Sequence, residues 1–253
     1  MRTVLAALDT SATARQVLQT ALRIGGLMGG TVEAVHVQDG PVELPEWLAA
    51  HGDVPLRILH GPVDASLLSA LAEADVIAAV FGARGTPGGR RPVGRTALQV
   101  LEQANKPVVV VPAAGADASS RAMRRLLLPL EGSEQSSRPV AESLRPLLVG
   151  EVEPVVLHVF TKATMPRVLD RPVRDLALWG DEFLARFCPE AVGIELRAGS
   201  VGSRVAEVGA EQHADLVVLS WSQDASPGHA AVVRDVLGHS TIPVLLLPVL
   251  TSD

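Results

Sequence analysis

The chain has 253 residues, of which 47% are hydrophobic and 20% charged, and its formal net charge is −6. A chain of this length forms two small domains or one large one, with enough apolar side chains for well-buried cores. The acidic charge balance argues against binding to nucleic acid or to an anionic membrane surface, because both require a basic face.

Apolar runs of strand length alternate with helical patterns along the first half of the chain. The predicted strands span residues 4–8, 32–37, 56–59, 76–81 and 108–111. The predicted helices span residues 13–25, 64–73 and 96–104, where apolar residues recur at helical spacing. Strands that alternate with helices predict a parallel sheet with right-handed crossovers, which places the chain in the α/β class.

The second half of the chain repeats the first. VLAALDTS, which begins at Val4, resembles LLLPLEGS, which begins at Leu126, and VEAVHVQD resembles PVVLHVFT at the same offset of 122 residues. ADVIAAVFG resembles ADLVVLSW at an offset of 140, and VLEQANKPVVVVP resembles VLGHSTIPVLLLP at an offset of 136. Four matches in the same order indicate an internal duplication.

The changes in offset predict where the two halves differ in length. The second half gains 18 residues between its second and third strands, around a predicted helix at 171–187, where the first half has a short segment near 43–50. Its loop after the fourth strand is four residues shorter. The small polar stretch that follows Pro112 fits a linker, so we expect domains at residues 1–113 and 122–253.

Two features of the first half lie at carboxyl ends of strands, where open parallel sheets bind ligands. Asp9 follows the first strand, and the loop from Gly82 to Thr96, with five glycines, follows the fourth. Glycines let backbone amides approach a phosphate closely, and the helix after the loop attracts an anion to its N-terminus. Thr96 fits either a helix cap or a hydroxyl donor to that phosphate.

Each feature also has a simpler interpretation. Asp9 fits a solvated residue or the N-cap of the first helix, and Thr10 or Ser11 fits that cap equally well. The glycine-rich segment fits a flexible surface loop. Arginines 90 and 91 fit solvated charges. His36 and His158, which precede the valines that end the second strand of each half, fit core histidines with satisfied hydrogen bonds.

The order of elements, Asp9, the His-Val pairs and the glycine loop together resemble the universal stress protein family. Nucleotide-binding members of that family carry a loop of the form G-x2-G-x9-G-[ST]. Here Gly82 and Gly85 have the first spacing, Gly94 follows after eight residues instead of nine, and Arg95 occupies the Ser/Thr position.

The resemblance implies two tandem five-stranded parallel sheets, each with strand order 3-2-1-4-5 and helices on both faces. It also implies an adenine nucleotide, ATP or ADP, with or without Mg²⁺, in the first half. Asp9 would contact the ribose and the backbone of Val37 the adenine edge. The phosphates would lie against Gly82, Gly85, Gly94, Arg95 and Thr96.

The second half departs from that pattern, and we expect no nucleotide there. Glu131 replaces the aspartate and reaches about one methylene further, while Ser220 and Gln223 stand at the first two glycine positions. The Gly-Ser position holds two alanines, 230 and 231. Side chains would crowd the space that a phosphate needs. Pro129 lacks a backbone donor and predicts an irregular first strand in this half.

Members of the family pair through the last strand of each sheet. The apolar segments from Val108 to Val111 and from Val244 to Leu247 would otherwise be exposed edges, so we expect them to pair within the chain as a pseudo-dimer. The sequence leaves open whether two chains associate further.

No catalytic signature is present: the sequence lacks a GxSxG elbow, an HExxH pair and a P-loop lysine. We therefore expect a regulator that hydrolyses nucleotide slowly or not at all. A scaffold that binds no nucleotide and acts through protein contacts is the alternative, and an adenylyl-transferring enzyme is disfavoured. The single cysteine, Cys188, and a start without signal-peptide features predict a cytoplasmic location without a membrane span.

Overall fold

The computed structural model describes residues 1–38, 52–83, 94–113, 122–134, 137–147, 151–161, 173–223 and 231–248. The elements of the first half are β1 (Thr3–Ala7), α1 (Ala14–Met28), β2 (Thr31–Gln38), β3 (Leu56–His60), α2 (Val63–Ala72), β4 (Val76–Gly82), α3 (Arg95–Gln103) and β5 (Val108–Val111).

The second half follows the same pattern with a longer middle section. Its elements are β6 (Arg125–Pro129), α4 (Ser137–Leu144), a short 3₁₀ turn (Arg145–Leu147), β7 (Glu153–Phe160), α5 (Val173–Phe187), β8 (Gly193–Ala198), α6 (Val201–Glu211), β9 (Leu216–Trp221), α7 (Ala231–His239) and β10 (Val244–Pro248). The helix α5 occupies the predicted extra segment. The short segment predicted near 43–50 lies outside the described residues.

The described strands form one sheet in the order β3-β2-β1-β4-β5-β10-β9-β6-β7-β8. Each half therefore has the order 3-2-1-4-5 that the family resemblance implies, and every pairing within a half is parallel. Two apolar clusters, one on each face of the sheet, contain residues from both halves. The predicted α/β class and tandem arrangement are confirmed.

The two halves meet through the antiparallel pairing of β5 with β10. Val110 lies opposite Val244, Val109 opposite Leu245, and Val108 opposite Leu246. These side chains are at most 1% exposed, so two strands that would be apolar edges cover each other. The pairing predicted for these two segments is confirmed.

The strand register corrects two of the predicted length differences. Leu56 pairs with β2 at the position where Ile194 pairs with β7, so these residues correspond at an offset of 138. Gly82 on β4 and Ser220 on β9 correspond at the same offset, judged by their pairing with β5 and β10. The insertion is thus 16 residues and the loop shortening two, instead of 18 and four. The predicted alignment of the two ADV/ADL segments was wrong by two, because a slip of two residues along a strand keeps the same side chains on each face and so leaves the apolar pattern unchanged.

Pro129 affects only one side of its strand. The β6–β7 ladder includes Pro129 opposite Leu157, whereas the β6–β9 ladder ends at Leu127. In the first half the matching β1–β4 ladder continues to Ala6. Without an N–H, proline cannot extend the ladder toward β9, so the predicted irregularity is confirmed on that side.

Asp215, at the start of β9, forms a second connection between the halves. Its Oδ2 accepts hydrogen bonds from the backbone N–H groups of Arg124 and Arg125, at 2.8 and 3.0 Å. Its Oδ1 lies 3.1 Å from a guanidinium nitrogen of Arg23 on α1, and the two side chains are only 7% and 12% exposed. This buried carboxylate therefore fixes the entry into β6 and joins it to the first half.

We expect Asp215→Ala to lower the free energy of unfolding by about 3 kcal/mol, because it removes one partner of a buried ion pair and the acceptor of two N–H groups. Urea denaturation measures the change. Asp75→Ala is the control, since the exposed Asp75 accepts one 3.2 Å bond from Thr3, and it should cost less than about 1 kcal/mol. Equal effects of the two variants would contradict this role of Asp215.

Candidate functional site

A cavity of about 410 Å³ opens at the carboxyl ends of β1, β2 and β4 in the first half, between α2 and α3. Strand order reverses there, since β1 is flanked by β2 and β4. Its polar lining consists of Asp9, His36, Gly82, Gly94, Arg95 and Thr96. Its apolar lining consists of Ala7, Leu8, Val35, Val37, Val63, Leu67, Phe81, Ala83, Ala97 and Val100.

The structure brings together six of the seven residues that the sequence predicts for the site. Gly85, the seventh, lies outside the described residues. The apolar lining was not predicted, although the sequence carries a signal for it. Val35 and Val37 are two residues apart on β2 and so share one face of the strand. Val63 and Leu67 are four residues apart on α2 and so share one face of the helix.

A tight turn holds Asp9 in position. One carboxylate oxygen, Oδ1, accepts hydrogen bonds from the backbone N–H of Ser11 at 3.0 Å and from its hydroxyl at 2.6 Å. The Ser11 hydroxyl also lies 2.8 Å from that of Thr13, which occupies the cap position of α1. Asp9 is thus not the helix cap, and its half-buried carboxylate forms part of the cavity wall.

The N-terminus of α3 forms another part of the wall. Gly94 stands at the cap position in an extended conformation without a side-chain cap, and its N–H donates to the carbonyl of Ala83 at 2.7 Å. The first N–H groups of a helix have no partner within it, and the helix dipole adds partial positive charge there. Arg95 and Thr96 are exposed in this first turn. This end of the cavity therefore favours an anion.

His36 and His158 hold matching positions in the two halves. The Nδ1 of His36 lies 2.8 Å from the carbonyl of Leu8, and that of His158 lies 2.9 Å from the carbonyl of Leu130. Each ring thus joins the first two strands of its half. The Nε2 of His36 is buried without a hydrogen-bond partner.

Aromatic side chains surround His158. The ring centroids of Phe160, Trp179 and Phe183 lie 4.7, 5.1 and 5.2 Å from that of the histidine. Burial lowers the pKa of His158, against the opposing effects of its bond to Leu130 and the nearby Glu131 carboxylate. The additional helix α5 supplies two of these rings, so the insertion in this half builds an apolar cover over the histidine.

Two residues at the carboxyl end of β9, Trp221 and Gln223, contact the other half. Ser220 occupies the register position of Gly82, as the sequence predicts, and Trp221 that of Ala83. Trp221 is buried, and its indole N–H donates to the carbonyl of Leu101 at 2.7 Å. The side-chain amide of Gln223 donates to the carbonyl of Ala104 at 2.5 Å.

The helices α6 and α7, which correspond to the cavity-lining α2 and α3, are in direct contact. The Asp235 carboxylate of α7 accepts hydrogen bonds from the Ser200 hydroxyl at 2.8 Å and the Gly202 N–H at 2.7 Å. A Cβ at Gly202 would lie 2.5 Å from the backbone of Asp235. The first half has Asp64 at the position of Gly202 and Gln99 at the position of Asp235. This contact therefore joins the two helices through residues that the first half does not share.

Comparison with known proteins identifies one family. The model of the universal stress protein family matches residues 42–112 and 123–248. A universal stress protein from Archaeoglobus fulgidus has a similar structure, with a TM-score of 0.64 and 14% identity over 97% of this chain and 96% of its own. A functionally unknown protein from Pseudomonas aeruginosa also has a TM-score of 0.64, with 12% identity over 98% and 92% of the two chains. No curated protein matches the sequence.

Two features are absent from the residues that the structure describes. Within the ranges given above, no helix is long and apolar enough to cross a membrane. The same ranges hold no group of three or more His, Cys, Asp or Glu side chains placed to bind a metal ion.

The lowered pKa of His158 predicts acid sensitivity. The unfolded chain binds a proton at this residue more readily than the folded one, so the free energy of unfolding falls as pH drops below about 6.5. His158→Phe keeps a ring and removes the titrating group. We expect urea denaturation between about pH 7.5 and about pH 5.5 to show a smaller loss of stability in this variant. A loss equal to that of the wild type would contradict this assignment.

Proposed function

Because the chain belongs to the universal stress protein family, in two tandem copies, we propose that its first half binds one adenine nucleotide, ATP or ADP, and acts as a regulator without catalysis. The observation that carries the proposal is the cavity itself. A fixed carboxylate, Asp9, and the positive end of α3 line the same space beside an apolar wall.

The cavity suits a nucleotide in size and lining. A volume of about 410 Å³ lies within the usual range of about 300–1,000 Å³ for small-molecule sites. The side chains of Val35, Leu67 and Phe81 offer an apolar surface to a base. The polar residues lie on β1, β4 and α3, so ribose and phosphates would face the strand ends and the helix N-terminus.

Each of the six predicted residues that line the cavity has a defined role in this proposal. Asp9 accepts hydrogen bonds from the ribose hydroxyls, and the backbone of Val37 meets the adenine edge. The N–H groups at the start of α3, with Gly82, Gly94, Arg95 and Thr96, hold the phosphates. A bound Mg²⁺ would rest mainly on phosphate oxygens, since the described lining holds a single carboxylate.

The lining residues favour binding over catalysis. Among the described ones, the groups able to accept a proton are Asp9, whose Oδ1 is bonded to Ser11, and His36, whose Nδ1 bonds to Leu8 and whose Nε2 is buried away from solvent. General base catalysis of hydrolysis needs such a group within reach of the attacking water. We therefore propose that the nucleotide acts as a ligand and that any hydrolysis is slow.

The carboxylate of Asp9 provides the first test. We expect calorimetry with ADP to give a stoichiometry near one per chain, and Asp9→Ala to weaken binding at least about tenfold through the loss of charge-assisted hydrogen bonds. Glu131→Ala, at the matching position of the second half, is the control and should bind like the wild type. Two sites per chain, or equal affinity in both variants, would contradict the proposal. No binding and no thermal shift would favour the scaffold alternative.

Arg95 provides a test of phosphate orientation. Arg95→Ala should weaken ADP binding about threefold, because an exposed charge contributes modestly, and salt should reduce the difference. Adenosine, which carries no phosphate, should bind both proteins equally in the same calorimetric assay. Equal losses for ADP and adenosine would show that Arg95 does not act on the phosphates.

A further inference from the structure

We propose that α3 couples the nucleotide site of the first half to the second half, through hydrogen bonds that Trp221 and Gln223 make to its C-terminus. The inference rests on the proposed function of the cavity and adds a regulatory connection to it. The second half thereby controls how firmly the first half holds its ligand.

The helix α3 contacts both the cavity and the second half of the chain. Its first turn, at Gly94 to Thr96, lines the cavity. Its last turn presents the carbonyl of Leu101 to the Trp221 indole and is followed by the carbonyl of Ala104, which accepts from Gln223. Nine residues give a helix about 13 Å long, short enough to move as a rigid body.

These hydrogen bonds satisfy carbonyl groups at the C-terminal end of α3. The last carbonyls of a helix find no N–H donor within the helix, and they usually accept hydrogen bonds from side chains or water. Here the donors come from the other half, and the indole of Trp221 is 3% exposed. The position of the helix end therefore depends on the second half.

The two matching positions of the first half carry no such donors. Trp221 occupies the register position of Ala83, and a methyl group cannot donate a hydrogen bond to α7 in return. Gln223 likewise aligns with Gly85, which has no side chain. Of the two donors that reach α3, Gln223 thus stands where the first half has a glycine and Trp221 where it has an alanine.

The backbone of Gln223 supports this coupling. It has a φ of +61°, in the left-handed region that residues other than glycine rarely adopt. Its hydrogen bond to Ala104 offsets the cost of that conformation. The local conformation of the loop is therefore linked to the position of the α3 terminus.

The direction of the effect follows from the geometry. Phosphate bound at the N-terminus and the two donors at the C-terminus hold the same rigid helix, so each favours the position that the other requires. Coupling of this kind is reciprocal: whatever factor the contacts add to nucleotide affinity, the nucleotide adds to the strength of the contacts.

Indole resonances in ¹⁵N-labelled protein provide a direct readout, since the chain has three tryptophans. The Trp221 cross-peak is assigned as the one lost in Trp221→Phe. We expect it to shift on addition of ADP along the same saturation curve that calorimetry gives. An unmoved Trp221 peak at saturating ADP would overturn the coupling, although nucleotide binding itself would stand.

A pair of matched glutamine variants tests the energetic effect. Gln223→Ala removes one donor to the α3 terminus and should weaken ADP binding about fivefold. Gln103→Ala, on α3 itself, removes an exposed side chain bonded only within the helix and should leave affinity unchanged. Equal affinities for the two variants would overturn the coupling. Absence of ADP binding to the wild type would overturn the proposed function and the coupling with it.

Discussion

The antiparallel pairing of β5 with β10 determines where the other parts of the molecule lie. Both strands are short, apolar and buried, so each covers an edge that the other half would leave open. Because all other pairings are parallel, the carboxyl ends of the two sets of strands point in opposite directions. The C-terminus of α3 consequently lies beside the carboxyl end of β9, where it meets Trp221.

The duplication produced two halves with one backbone plan and different uses of the strand ends. In the first half, a carboxylate and a helix N-terminus line an open cavity. In the second, the corresponding helices touch at Gly202 and Asp235, and α5 covers His158 with aromatic rings. The strand ends of the second half thus carry different contacts, and Trp221 and Gln223 contribute to the junction between the halves.

The sequence predicted features that depend on local pattern. Apolar runs and turns located the strands, and the family resemblance supplied their order and the cavity residues such as Asp9. Contacts across the halves could not be predicted in this way, because Asp215 and Trp221 each resemble ordinary residues beside a strand. The alignment of the two ADV/ADL segments also failed, since a slip of two residues along a strand leaves the alternation of its faces unchanged.

Native mass spectrometry of the purified chain tests the central claim, that one half binds nucleotide and the other does not. With excess ADP, we expect a single added nucleotide mass per chain, and the same single addition in Glu131→Ala. Two added masses, or a spectrum of unliganded protein alone under conditions that preserve the folded chain, would contradict it.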